Sequence, residues 1–214
     1  MIVGLTGAYC AGKNRVAGIL ESRGLPSLDV DKLGHACLEN QREAVFAHFG
    51  DGVKNPDGSV NRKALGAIAF ASRDALFALE KIVHPEANRM TLEWIKGRKG
   101  RPCVVNAALL HKSAVFGKLG CVILVRAPLV ARLARARRRD RLPWLDILKR
   151  FASQRRFAAQ YSAETADTYS IWNPGIGMPA FSRGSARGKA GSDRRLERRI
   201  DEILAALKLE DKKV

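Results

Sequence analysis

Long apolar runs are missing from this sequence. No segment reaches the roughly eighteen uncharged apolar residues that a membrane-spanning helix needs. The apolar stretch over residues 1–7 follows no basic residues and is too short for a secretory signal peptide. Both absences argue against a membrane partner, and we expect a cytoplasmic protein.

Metal-binding and disulfide patterns are missing as well. The four cysteines lie far apart and form no C-x-x-C pair. Three of the four histidines, His35, His48 and His111, show no metal-ligand spacing. The sequence therefore indicates neither a disulfide framework nor a zinc site, which agrees with a reducing compartment.

Acidic residues are scarce relative to basic ones. The chain has 21 Asp and Glu against 38 Lys and Arg, a formal charge of +17. Much of the excess lies between Arg126 and Arg156, which hold eleven Lys or Arg and only two Asp. Such a block attracts polyanions, and a nucleoside triphosphate qualifies as well as a nucleic acid. Because no aromatic residues interleave with the arginines of 132–141, we expect no nucleic-acid partner.

The order of predicted elements is that of an α/β protein. Apolar runs at 2–6, 25–30, 103–106, 121–125 and 168–172 predict buried strands, and segments of helical periodicity separate them. We expect a three-layer fold around a parallel five-stranded sheet, with a helical substrate-binding insertion at about 32–95 and a helical lid at about 135–150. Within the insertion, His84-Pro85 predicts a boundary between two helices.

We expect one domain that carries insertions, followed by a C-terminal extension. Residues 1–175 are predicted to form the main domain. Residues 176–214 are predicted to form a flexible basic loop and a C-terminal helix, the helix at 196–207. A monomer or a weak oligomer is expected.

A phosphate-binding loop is predicted between the first strand and the first helix. The segment Gly7–Asn14 has the spacing G-x-x-x-x-G-K, in which backbone N–H groups and the helix N-terminus meet phosphate oxygens and the lysine reaches the outer phosphates. A plain glycine turn joining strand to helix is the alternative. The predicted nucleotide-binding residues of this loop are Gly7, Ala8, Tyr9, Cys10, Ala11, Gly12, Lys13 and Asn14.

Asn14 departs from the pattern. Ser or Thr is expected there, because its hydroxyl ligates magnesium, and an amide oxygen is a bulkier ligand. We predict Asn14 as the protein's Mg²⁺ ligand. The departure also supports an alternative in which the protein binds nucleotide without transferring phosphate.

Two further groups are candidates for phosphoryl transfer. Asp31 follows the second strand, where a carboxylate can accept the proton of an attacking hydroxyl, although it can equally cap the next helix. Arg135, Arg138 and Arg139 share one side of a predicted helix. Arginines there can neutralise a transferring phosphoryl group, although basic runs more often face solvent.

Together, the motifs resemble those of the dephospho-coenzyme A kinase family of P-loop kinases. The resemblance extends to about residue 175 and includes the opening GLTG with GK, the LDVD segment, HFGDGVKNPDGSVNRKALGAIAF, LEKIVHP, RLARARRRD and Gln154. It implies ATP-dependent phosphorylation of the ribose 3′-hydroxyl of dephospho-CoA. ATP and Mg²⁺ are the implied cofactors. Ala108 and Lys112 depart from the Pro and Glu that the family has in this segment.

The resemblance also implies roles for particular residues. Asp31 is the implied catalytic base, acting with Lys13 and with Arg139 as the phosphate clamp. The remaining implied contacts are Arg135 at the phosphates, Asn173 and Gly175 beside the adenine, and His84, Lys81 and Arg89 at the CoA substrate. Another P-loop kinase of small molecules or nucleosides is the nearest alternative.

Overall fold

The computed structural model describes residues 1–140, 144–153, 161, 167–174 and 187–209. The chain divides into two compact units. One comprises Met1–Leu28, Gly100–Lys112 and Phe116–Val214, and the other Asp29–Lys99 and Ser113–Val115. No helix in the described residues has both the length and the apolar composition needed to cross a membrane.

A five-stranded parallel sheet organises the fold, as predicted. Its strands lie in the order β2-β3-β1-β4-β5, so the strand that enters the glycine loop is central. Leu5 of β1 pairs with Asn106 of β3, and Gly7 of β1 pairs with Val125 of β4. The strands are β1 (Ile2–Gly7), β2 (Ser27–Asp29), β3 (Cys103–Asn106), β4 (Cys121–Arg126) and β5 (Asp167–Trp172).

The core of the first unit lies between the sheet and helices packed against it. β3 is buried at all four positions and β4 at its first five, as expected for parallel strands covered on both faces. Two helices, α1 (Lys13–Ser22) and α8 (Arg187–Ala206), contribute buried residues to this core, including Leu20 and Ile200. The helix α8 begins earlier than the helix predicted at 196–207, because its basic N-terminal part carries no apolar periodicity in the sequence.

Two helices follow β4 in the same unit. α6 spans Leu129–Asp140 and α7 spans Trp144–Ser153, so both include residues of the helical lid predicted at about 135–150. Arg137 lies over the ring of Trp144, 5.6 Å from its centroid. Within the described residues, α6 buries Ala131 and Ala136. Five of its twelve residues are charged residues that follow Arg132, namely four arginines and one aspartate.

The second unit is helical. It contains α2 (Val30–Asn40), α3 (Arg42–Phe49), α4 (Arg62–Ala69) and α5 (Arg73–Lys96). Val45, Val53, Val60 and Leu65 form its buried centre. Asn61 caps α4 by accepting a hydrogen bond from the backbone N–H of Ala64 at 3.1 Å.

The helix boundary predicted at His84-Pro85 is wrong. α5 is continuous from Arg73 to Lys96 with Pro85 inside it. Contacts one residue beyond the proline explain this: the buried Glu86 accepts hydrogen bonds from Asn40 of α2 at 2.6 Å and from Arg89 at 2.7 and 2.8 Å. These bonds tie α5 to α2, so tertiary packing offsets the backbone hydrogen bond that proline removes.

Candidate active site

The glycine loop adopts a conformation that its glycines make possible. A Cβ atom on Gly7 would lie 2.9 Å from the carbonyl oxygen of Val125, so no larger residue fits there. Gly12 has φ of 96°, and a Cβ atom there would collide with the amide of Asn173. Cys10 also has positive φ, 60°. The loop is thus closely fitted to β4 and to the segment after β5.

Side chains from outside the loop bind its carbonyl groups. Arg132 donates from Nε to the carbonyl oxygen of Tyr9 at 2.8 Å. Arg135 donates from Nη1 to the carbonyls of Cys10 at 3.1 Å and Ala11 at 3.0 Å. Asn173 donates from Nδ2 to the Ala11 carbonyl at 2.9 Å. Three successive carbonyls of the loop therefore point toward α6 and the end of β5.

The direction of these carbonyls fixes the direction of the loop's N–H groups. The structure contains no cis peptide in its described part, and in a trans peptide the N–H points opposite to the C=O. The N–H groups of Cys10 and Gly12 consequently point away from the arginines. The Ala11 N–H closes the loop onto the Ala8 carbonyl at 2.8 Å. The face opposite α6 is the one that presents donors to an anion.

The N-terminus of α1 adds to this donor face. α1 begins at Lys13, directly after Gly12. The N-cap residue is Gly12, which has no side chain to cap the helix, and the first turn contains no acidic residue. The positive end of the helix dipole is therefore unopposed by local carboxylates, as in phosphate-binding helices.

Asn173 joins the loop to Arg135. Its side chain is only 2% exposed, and its backbone N–H donates to the Arg126 carbonyl at 2.7 Å. Arg135 donates from Nη2 to the Asn173 carbonyl at 3.1 Å. Asn173 and Arg135 thus hold the loop from the same side. Gly175, the other residue predicted near the adenine, lies outside the described residues.

Arg139 lies in a cluster with Tyr9 of the loop. It donates from Nε to Oδ1 of Asp140 at 2.6 Å, and its guanidinium lies 5.3 Å from the centroid of the Tyr9 ring. The Tyr9 hydroxyl donates to the same carboxylate. Phe151 of α7 packs edge-on against Tyr9, with ring centroids 5.4 Å apart. These contacts connect the end of α6 and α7 directly to the loop.

The arginines change the electrostatics around the loop. Burial lowers the pKa of Arg132 and of Arg135, although guanidinium remains protonated at any working pH. The hydrogen bond to Asp140 raises the pKa of Arg139. Burial raises the pKa of the Cys10 thiol, which the cationic Arg139 partly opposes. The loop therefore lies in a cationic environment that favours a bound anion.

The side chain of Asn14 contacts the carboxamide of Asn106. Nδ2 of Asn106, at the end of β3, donates to Oδ1 of Asn14 at 3.3 Å. Asn106 is 2% exposed, and its Oδ1 has no hydrogen-bond partner among the described residues. Asn106 was not among the residues predicted from the sequence. A polar residue directly after three buried apolar ones at a strand end was nevertheless a usable signal for a site residue.

The residues predicted to hold the substrate lie in the helical unit. Asp31 is in the first turn of α2, one residue after Val30, and is exposed. Lys81 and His84 line a cavity of about 440 Å³, together with Phe77, Glu80, Pro85 and Asn88. Arg89 does not line that cavity.

Arg89 is engaged by carboxylates of its own helix. It donates to Glu86 and, from Nη1, to Glu93 at 2.6 Å. Its guanidinium, followed by the amide of Asn40, lowers the pKa of Glu86 to about 2. The role of Arg89 in substrate binding stays a prediction, and in the structure its guanidinium holds the carboxylates of Glu86 and Glu93.

Arg132 is a further residue that the sequence analysis missed. It lies three positions before Arg135 and seven before Arg139, which is the spacing of one helix face. Its guanidinium also lies 4.6 Å from the ring centroid of Phe151. The helical spacing was readable, but the partner carbonyl, 123 positions away in sequence, was not.

A parallel sheet with a glycine loop between its central strand and the first helix defines the class of P-loop nucleotide-binding proteins. Comparison with known proteins narrows this class. Residues 1–169 match the family model described as "Dephospho-CoA kinase". The chain belongs to the dephospho-CoA kinase family, whose members are phosphotransferases that use ATP.

Individual relatives agree with this assignment. The dephospho-CoA kinase of Halalkalibacterium halodurans is 37% identical over 161 residues, covering 72% of this chain and 80% of the relative. That of Geobacter sulfurreducens is 32% identical and covers 95% and 97%, respectively. Among solved structures, TT1252 from Thermus thermophilus superposes with a TM-score of 0.75 at 30% identity, covering 97% of both chains. Dephospho-CoA kinase from Campylobacter jejuni gives 0.65 at 25% identity, covering 94% of this chain and 96% of that one.

Proposed function

We propose that this protein transfers the γ-phosphoryl group of ATP to the ribose 3′-hydroxyl of dephospho-CoA, giving coenzyme A and ADP. The observation that carries the proposal is the loop Gly7–Lys13, whose carbonyls are held from one side so that its N–H groups face the other. Family membership supports the choice of substrate.

The loop and α6 serve the nucleotide in this proposal. The backbone of residues 7–13 binds the phosphates, and Lys13 pairs with their outer oxygens. Arg135 and Asn173 keep the loop in shape and border the nucleotide. Arg139 acts as the phosphate clamp, and for this it exchanges its contact with Asp140 for one with phosphate oxygens.

The helical unit serves the acceptor. Asp31 accepts the proton of the attacking hydroxyl, a role for which an exposed carboxylate in the first turn of a helix is available. Lys81 and His84 bind dephospho-CoA along the cavity that they line. Arg89 supports this surface by holding Glu86, and through Glu86 the neighbouring helix α2.

Mg²⁺ completes the proposed site. Its bound form neutralises charge on the β- and γ-phosphate oxygens. The donor set fits, because the amide oxygen of Asn14 is a hard oxygen ligand. Within the described residues no group of three or more His, Cys, Asp or Glu side chains is placed to hold a metal. The ion would therefore share its coordination between Asn14 and the nucleotide.

Turnover by the purified protein tests the proposal. We expect ADP release that requires both dephospho-CoA and Mg²⁺. Lys13→Ala and Asp31→Asn should each lower kcat by about 100-fold or more while remaining folded. Asp74→Asn is the matched control for Asp31, since Asp74 is also exposed and in the first turn of a helix, and it should keep full activity. ATP binding without any dephospho-CoA-dependent turnover would instead support a nucleotide-binding protein that transfers no phosphate.

A further inference from the structure

The metal side of the phosphate loop contains a pair of neutral amides. P-loop proteins hold magnesium with a hydroxyl from the loop and an acidic residue at the end of a neighbouring strand. Here Asn14 occupies the hydroxyl position. Asn106 ends β3, the strand that pairs directly with β1, and its register partner Leu5 lies two residues before the loop begins. Asn14 and Asn106 thus place neutral amide oxygens at the two positions.

The carboxamide of Asn106 faces Asn14. Its Nδ2 donates to Oδ1 of Asn14 at 3.3 Å, although the residues are 92 positions apart. Asn14 itself is exposed, whereas Asn106 is 2% exposed. The pair therefore connects the protein interior to the accessible start of α1, where the nucleotide phosphates are proposed to bind.

The other atom of this carboxamide lacks a partner. Oδ1 of Asn106 is buried without a hydrogen bond in the described part of the chain. An unsatisfied buried acceptor is costly because it has lost its hydrogen bonds to water, so such atoms mark sites completed by water, an ion or a ligand. Oδ1 of Asn106 is bonded to the same carbon as Nδ2, and so it lies within a few ångströms of the Asn14 amide.

We propose that Asn106 is a positioning residue of the magnesium site. Its N–H group orients the oxygen of Asn14, and its own Oδ1 accepts a hydrogen bond from a metal-bound water. Because both side chains are neutral, they attract a bare divalent cation weakly, and the metal binds together with the triphosphate. This inference rests on the nucleotide-binding part of the proposed function and needs no assumption about the acceptor.

Nucleotide binding with and without metal tests the role of Asn106. The Kd of a non-hydrolysable ATP analogue is measured by calorimetry in excess Mg²⁺ and again in EDTA, and the ratio of the two values gives the metal enhancement. In Asn106→Ala we expect this enhancement to fall about tenfold, as for other residues behind a metal ligand, with the Kd in EDTA within about twofold of wild type.

Two further variants make the test specific. Asn106→Leu keeps roughly the size of the side chain but removes both of its polar atoms, so it should lower the metal enhancement about as much as Asn106→Ala and lower the affinity for Mn²⁺ followed by electron paramagnetic resonance. Thr6→Val is the matched control, because it removes a different buried hydrogen bond of this unit, from Oγ1 to the Ala108 carbonyl, and should leave the enhancement unchanged. If Asn106→Ala does not fold, Asn106→Leu, which leaves no cavity, decides the question alone.

The contrary outcomes are distinct. Equal weakening of binding in Mg²⁺ and in EDTA would show that Asn106 only supports the fold, and it overturns the inference. An unchanged metal enhancement in Asn106→Ala or in Asn106→Leu overturns it as well. If the wild-type protein binds no analogue under either condition, the proposed function fails and this inference fails with it.

Discussion

Arg135 is the side chain that holds the phosphate loop most extensively. Its guanidinium donates to the carbonyls of Cys10 and Ala11 from one nitrogen and to the carbonyl of Asn173 from another. We predict that Arg135→Ala destabilises the protein even without nucleotide. It should also weaken nucleotide binding, because the loop carbonyls that set the direction of the N–H groups lose their donor.

The size of this effect follows from the contacts. A hydrogen bond from a charged donor contributes about 1.5 to 3 kcal/mol, and four such bonds are lost, three to carbonyl oxygens and a longer one of 3.4 Å to Oδ1 of Asn173. Water replaces part of them, because Arg135 is only half-buried. We therefore expect the free energy of unfolding to fall by about 2 to 4 kcal/mol, within the range of single substitutions that break a buried network. Arg135→Lys keeps the charge but loses the planar, forked set of donors, so its free energy of unfolding should lie between those of wild type and Arg135→Ala.

Denaturant unfolding without nucleotide, followed by titration with the ATP analogue, measures both effects. We expect the analogue's Kd to rise by at least about tenfold, equivalent to about 1.4 kcal/mol. Arg138→Ala is the control, since Arg138 lies on the same helix with an exposed side chain, and its effect on stability should stay within about 0.5 kcal/mol. If Arg135→Ala lost nucleotide affinity at unchanged stability, Arg135 would act on the ligand alone and the account of the loop would be refuted.

Three other substitutions give independent tests. Asn14→Ser restores a hydroxyl at the metal position and should raise kcat at limiting Mg²⁺, measured by ADP release; an unchanged or lower kcat would contradict the proposed role of Asn14. Glu86 has a pKa of about 2, below its ordinary value of 4.5, so its stabilising contribution is complete above pH 4.5 and is lost as the pH falls toward 2. The stability difference between wild type and Glu86→Gln should therefore shrink across that window in urea titrations, and a constant difference would refute the assignment. Pro85→Ala restores a backbone donor inside α5 and should raise the free energy of unfolding by about 1 to 3 kcal/mol, whereas destabilisation would show that the proline packs favourably.

Local patterns predicted the parts of the fold that have local causes. The glycine loop was readable because its spacing and its position between a strand and a helix belong to one mechanism. Strands β3 and β4 were readable because buried parallel strands are apolar at successive positions.

Contacts between distant parts of the chain were not readable in this way. Pro85 indicated a helix boundary, and only the hydrogen bond between Glu86 and Asn40 explains why α5 continues through it. Arg132 and Asn106 were overlooked for the same reason, because their partners lie 123 and 92 positions away in sequence. Periodicity places a side chain on a face of its own helix or strand, but it does not identify the backbone group or side chain opposite that face.

The identity of the phosphorylated product tests the central claim most directly. The purified protein is incubated with ATP and Mg²⁺ and with dephospho-CoA, adenosine, nucleoside monophosphates or shikimate in separate reactions, and the products are analysed by mass spectrometry and phosphorus NMR. We predict one new phosphomonoester at the ribose 3′-position of dephospho-CoA, formed in equal amount with ADP and missing in Lys13→Ala. Phosphorylation of another acceptor in preference to dephospho-CoA, or ATP hydrolysis with no phosphorylated acceptor, would contradict the account.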